Sequence, residues 1–210
     1  MQKLIAFAAA GLIAAGSAHA ATTFTATLTG GQEVPPSGSQ FVATANLELV
    51  DTNGDDILDA LNMTVEIPSA FDFSATDAGI DGNDGSQVVT VFHIHSAPRG
   101  VNGPVAFGII GPNSDTDMDR MFTLNDDGSV THSNQWDLGE GNGTTLAAFL
   151  PALLAAAPGE DVGLYFNLHT EEFRGGELRG QLVATPIPGA LPLFAGIAAA
   201  FGFARRRMSR

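Results

Sequence analysis

Across residues 41–49 apolar and polar positions alternate, with Phe41, Ala43, Ala45, Leu47 and Leu49 set against Val42, Thr44, Asn46 and Glu48. A period of two sends successive side chains to opposite faces, so this stretch predicts a half-buried strand with its odd-numbered face inward. The same strand rhythm recurs over residues 22–29, 57–67, 87–95, 104–110, 121–124, 129–136, 162–169 and 177–184. Turn chemistry separates these runs. Asn53-Gly54 and Asn125-Asp126-Asp127-Gly128 tolerate positive φ and predict hairpins, and residues 99–103 and 170–176 predict two further reversals. One stretch, residues 144–157, reads as a helix capped by Thr144 or Thr145 and stopped by Pro158-Gly159. Pro151 inside it predicts a kink or a break. Eight or nine short strands, one helix, no βαβ rhythm and no internal repeat predict an all-β antiparallel sandwich with one helical insertion.

The chemistry-bearing residues sit on two of these strands. In Phe92-His93-Ile94-His95 the alternation turns both imidazoles to one face and Phe92 and Ile94 to the other. In Tyr165-Phe166-Asn167-Leu168-His169 the face opposite Phe166 and Leu168 carries Tyr165, Asn167 and His169. A His-x-His pair holds its Cα atoms about 6–7 Å apart and can chelate one metal ion. If the two strands are neighbours, His169 supplies a third nitrogen, a set suited to Zn²⁺ or Cu²⁺. The alternative is structural, with the imidazoles bonded to loop carbonyls or to Asn167 and fixing the 99–103 turn. Either way the three rings should converge.

Other motifs are weaker. Asp51, Asn53 and Asp55 have the spacing of a calcium loop, but Asp56 replaces its glycine and Asn62 its bidentate glutamate, which favours a solvated turn. Gly139-Glu140-Gly141-Asn142-Gly143 lacks the third glycine and the βαβ setting of a dinucleotide site. Glu171, Glu172, Arg174, Glu177 and Arg179 read as a solvated strand face or a ladder of ion pairs. His132 stands apart in a separate hairpin. No nucleophile elbow and no H-E-x-x-H helix is present, so no catalytic residues are assigned.

Composition changes the picture at the two ends. Met1-Gln2-Lys3, an apolar run over residues 4–16 and Ser17-Ala18-His19-Ala20 predict a secretory signal peptide, residues 1–20, cut after Ala20. At the other end, residues 186–210 carry an apolar run followed by Arg205-Arg206-Arg207, which predicts a near-membrane-length helix with its arginine end in the cytoplasm. This tail resembles the PEP-CTERM sorting signals of Gram-negative bacteria in their V-P-L-P-A variant. Its motif is Pro186-Ile187-Pro188-Gly189-Ala190, without the glutamate of the namesake sequence. An exported location follows, at the periplasm, cell surface or outside, with the tail in the inner membrane before any processing. Residues 21–185 then form one domain. All 23 acidic residues lie in it against four arginines, which excludes nucleic acid and favours divalent cations or basic partners. No cysteine is present, so there is neither a disulfide nor a thiolate ligand.

Three blocks in order carry a resemblance: Gly30-Gly31-Gln32-Glu33-Val34-Pro35-Pro36; Phe92-His93-Ile94-His95-Ser96-Ala97-Pro98 with Asn102-Gly103-Pro104; and Asn167-Leu168-His169-Thr170 with Arg174-Gly175-Gly176-Glu177-Leu178-Arg179-Gly180-Gln181. Together they are similar to the CHRD domain, known from chordin and from bacterial secreted proteins. The resemblance implies an immunoglobulin-like sandwich distantly similar to copper/zinc superoxide dismutase, and no established activity. A dismutase centre is not supported, since the bridging histidine and the Asp-containing zinc loop have no counterpart. The expected function is an exported interaction module with an extracellular protein or polysaccharide partner. The alternative is a zinc- or copper-binding protein using His93, His95 and His169.

Overall fold

The computed structural model describes residues 23–80 and 84–185. The predicted signal peptide and the sorting segment with its apolar helix therefore lie outside the described residues. Among the described residues no helix is long and apolar enough to cross a membrane.

The alternating runs fold as strands β1 (Thr23–Thr29), β2 (Val42–Val50), β3 (Ala60–Ile67), β5 (Gln87–Ser96), β6 (Val105–Ile110), β7 (Met121–Leu124), β8 (Val130–Asp137), β9 (Asp161–Thr170) and β10 (Leu178–Thr185). A two-residue strand that the pattern does not announce, β4 (Phe71–Asp72), pairs in parallel with the start of β5. The other pairings are antiparallel, and they join into one ten-stranded sheet in the order β4-β5-β9-β10-β1-β2-β3-β8-β7, with β6 also on β5. The sheet curls on itself like a sandwich, so both halves share one core. Leu47 and Leu49 of β2, Met63 and Val65 of β3, Phe92 and Ile94 of β5 and Phe166 and Leu168 of β9 all belong to it. The odd-numbered face of β2 is the buried one, as its alternation requires.

One local expectation needs correction, and the kink or break expected at Pro151 is narrowed to the first of the two. The β2–β3 reversal is not a tight Asn-Gly hairpin; β3 starts at Ala60 rather than at residue 57. The intervening loop is organised by carboxylates. Asp51 accepts the backbone N–H groups of Asn53, Gly54, Asp55 and Asp56, and Asp59 accepts from Thr52 and the Asn53 amide. The Asp51 carboxylate thus serves its own loop. Helix α1 (Leu146–Ala155) runs unbroken through Pro151. The carbonyl that loses its helical partner is that of Ala147, on an exposed turn where water can take the vacated position. The helix docks through Phe149, whose ring lies 5.6 Å from that of the buried Trp136.

What positions the site is the outer face of β5, β9 and β10. On β9 and β10 it carries Tyr165, Asn167, Arg179 and Gln181, all buried although they point away from the core. Two loops cover them. The loop after β1 lies over the face through Ser37, whose hydroxyl donates to the Glu177 carbonyl at 2.8 Å. The turn after β5 is bound to that loop by the Asn102 amide, which donates to the Val34 carbonyl at 2.8 Å.

Candidate metal centre

In the β5–β9 ladder His93 stands opposite Asn167, His95 opposite Tyr165 and Val91 opposite His169. This register brings the three predicted histidines together. Nε2 of His93 lies 2.7 Å from Nε2 of His95 and 3.1 Å from Nε2 of His169. One ligand atom from each fits within a cluster whose members are no more than 4.8 Å apart. His93 is buried, while His95 and His169 are partly exposed, so the cluster opens toward solvent from its deepest ring.

Two rings are held from behind. His95 Nδ1 is 2.7 Å from the Gly103 carbonyl, and His169 Nδ1 is 2.9 Å from the Arg174 carbonyl. A carbonyl oxygen only accepts, so both Nδ1 atoms carry hydrogen and both Nε2 atoms present lone pairs to His93. His95 is further fixed by stacking on Tyr165, with centroids 4.8 Å apart and planes 9° from parallel. The Arg179 guanidinium carbon stands 3.5 Å from the centroid of the Tyr165 ring.

The surroundings keep the imidazoles neutral. Burial, reinforced by repulsion from His95 and from His169, pushes the His93 pKa down from 6.5 to about 3; Asn167 opposes this. Burial also lowers His95 and His169, against the Gly103 and Arg174 carbonyls respectively. Neutral imidazole is the form that ligates.

Further polar groups in this layer were not assigned from the sequence. Arg179 is 1% exposed, not a solvated strand residue, and Glu177 is fully buried; pairing with the loop after β1 and the 98–103 turn removes both from water. Arg179 donates to the carbonyls of Pro98 and Val101 and to Asn102 Oδ1, so it braces the turn that ends in Gly103. Glu33 is buried, and burial raises its pKa to about 7 against the influence of Arg179, Asn167 and the Val34 backbone. The signal for Glu33 was its place in the first motif block, but a loop glutamate beside two prolines gives no hint of burial.

A second group, Asp115, Asp117 and Glu140, gathers three carboxylates within 4.8 Å. Its two buried members are occupied by the chain itself. Glu140 accepts the backbone N–H and hydroxyl of Thr116, and Asp115 accepts the N–H groups of Met118 and Arg120. Sequence separation and the absence of a motif hid this group. His132, set aside at the sequence level, lies in the core against Phe92 and Phe122.

No curated protein and no solved structure matches the chain. The family model of the CHRD domain matches residues 24–182, a span that takes in the three motif blocks, the three histidines and both covering loops. The chain belongs to the CHRD domain family.

Proposed function

We propose that this protein is an exported β-rich binding module that takes up one Zn²⁺ or Cu²⁺ ion through Nε2 of His93, His95 and His169. One observation carries the reading: two Nε2 lone pairs, fixed by carbonyls at the far side of each ring, face a third Nε2 at 2.7 and 3.1 Å. A single proton on His93 Nε2 satisfies only one of those lone pairs well. A cation at their meeting point satisfies all three. Nitrogens at ~2.0–2.1 Å from a tetrahedral zinc ion are ~3.3 Å apart, so binding asks the closer pair to open by about half an ångström.

Three imidazoles leave one position to water or to an external ligand, the pattern of an open site rather than a closed structural one. The reading is of a binding module; none of the groups around the cluster forms a nucleophile–base pair. Export is supported by the two end segments, which lie outside the described residues. An extracellular protein or polysaccharide partner at the cell surface fits the same placement and the acidic charge.

The test is elemental analysis of the exported protein purified without a His tag, followed by zinc and copper titration with thermal unfolding as readout. One equivalent of metal, with a rise in melting temperature that His93→Ala abolishes, is the expected result. A wild-type protein that binds neither ion at micromolar concentration refutes the proposal.

A further inference from the structure

An imidazole ligand is aimed only when both its plane and its rotation within that plane are fixed. His169 has one such fixture, the Arg174 carbonyl on its Nδ1, and Arg174 lies in an exposed turn. His95 has two. The Gly103 carbonyl on its Nδ1 sets the rotation, and stacking on Tyr165, with planes 9° from parallel, sets the plane.

Both fixtures of His95 lead to Tyr165. Its hydroxyl oxygen accepts the Gly103 backbone N–H at 3.2 Å, so the residue that holds His95 Nδ1 is itself tied to the ring that His95 stacks on. Gly103 also comes down onto β5 more closely than a residue with a side chain could. A Cβ there would lie 2.0 Å from the Ser96 carbonyl oxygen. On the far side of the turn the Ser96 N–H donates to the Pro104 carbonyl at 2.9 Å.

The Tyr165 ring is in turn fixed from its other face. β9 runs between β5 and β10, and two groups cannot stack on one ring face, so the Arg179 guanidinium lies opposite His95, its central carbon 3.5 Å from the ring centroid. Arg179 donates to the Pro98 and Val101 carbonyls, which belong to the turn that ends in Gly103. Imidazole, turn and guanidinium thus form a closed circuit with one buried ring at its centre.

We infer that Tyr165 is a positioning residue of the metal centre, its ring setting the plane of the His95 imidazole and its hydroxyl anchoring the residue whose carbonyl sets the direction of His95 Nε2. Its effect on affinity rests on the metal reading above. The hydroxyl is part of the device, since a phenyl ring would keep the stack and leave the Gly103 N–H unpaired.

The experiment is calorimetric zinc titration of the exported protein carrying Tyr165→Phe or Tyr165→Leu, each alone and combined with His95→Ala, with urea unfolding of the metal-free forms alongside. Tyr165→Leu should weaken zinc binding about 10- to 100-fold, the range in which outer partners of metal ligands act, and Tyr165→Phe, which keeps the stack, about 3- to 10-fold. In the His95→Ala background both losses should fall below about twofold, because the aimed ring is gone. A side chain that only packs would lower the unfolding free energy without this dependence on His95. Tyr165→Phe removes a single oxygen, so it remains decisive where Tyr165→Leu does not fold. Wild-type zinc affinity in Tyr165→Phe, or a loss of equal size with and without His95, overturns the inference while the metal site stands. A wild-type protein that binds no zinc also overturns it, and copper titration then decides whether the metal reading survives.

Discussion

His132 gives the most direct test of how burial sets protonation in this fold. It projects from the inner face of β8 and is fully buried, 4.5 Å from the Phe122 ring and 5.6 Å from that of Phe92 between centroids. Neither ring nitrogen has a hydrogen-bond partner, and burial, with a smaller push from Arg120, drives its pKa from 6.5 to about 3 against the Met121 backbone. The folded group thus titrates below the unfolded one. Its contribution to stability is fully present above pH 6.5 and is lost as pH falls from there toward 3, because only the unfolded chain binds the proton. At pH 5 the unfolded histidine lies about one and a half units above the solution pH, a loss of about 2 kcal/mol.

His132→Leu removes that loss and also removes two unpartnered nitrogens, worth about 1 kcal/mol at any pH. The variant should therefore exceed the wild type by about 1 kcal/mol at pH 8 and about 3 kcal/mol at pH 5. Urea unfolding at the two pH values suffices as an assay, read from the fluorescence of Trp136, the single tryptophan, which is buried against Phe107. The comparison with wild type is needed because Glu33 works the other way. Its folded pKa of about 7 lies above the unfolded value, so its contribution is fully present below pH 4.5 and lost as pH rises through 7. That effect is common to both proteins and cancels in the difference. Equal differences at pH 5 and pH 8 would show that His132 is hydrogen-bonded or protonated in the fold, and the argument would fail.

Leu47→Ala on the buried face of β2 should cost ~2–5 kcal/mol in the same unfolding assay, whereas Glu48→Ala on the exposed face should change stability by less than ~0.5 kcal/mol. Zinc-dependent stabilisation should fade as pH falls, with its midpoint below 6.5, since burial lowers the pKa of all three ligand imidazoles; loss of binding centred on or above pH 6.5 would contradict their burial. Arg179→Met should cost ~3 kcal/mol or more in unfolding free energy by leaving the Pro98 and Val101 carbonyls unpaired, and a cost below ~1 kcal/mol would mean the turn is held without it.

Strand pattern and face were legible in the sequence because a period of two carries both at once, as residues 43–49 and 92–95 show. Convergence of His93, His95 and His169 was legible for the same reason, once β5 and β9 were taken as neighbours. What stayed hidden depends on coverage rather than on period. Tyr165, Asn167, Arg179 and Gln181 lie on the face that alternation marks as outward, and they are buried only because two loops fold back over them. β4 is too short to show a pattern, and the β2–β3 loop is longer than its Asn-Gly pair suggests because Asp51 and Asp59 organise it.

The three motif blocks acquire a common physical meaning in this geometry. Gln32 and Glu33 come from the first, His93, His95, Asn102 and Gly103 from the second, and Asn167, His169, Arg179 and Gln181 from the third. In the sequence they are spread over some 150 positions, yet on the sheet they form one hydrogen-bonded layer. Gln32 accepts from the Gln181 backbone and from Arg99, which pairs with Asp161 through two 2.9 Å contacts. Gln181 donates to the Ala97 and Leu164 carbonyls. Each block thus satisfies polar groups that the other two bury. A sandwich needs no such layer to fold, since its apolar core lies on the opposite face of the same strands. Burying this many amides and charges is costly unless every one is partnered. At its centre the informative group is then the cluster of three imidazoles, where one Nε2 faces two others at 2.7 and 3.1 Å and one proton cannot serve both contacts.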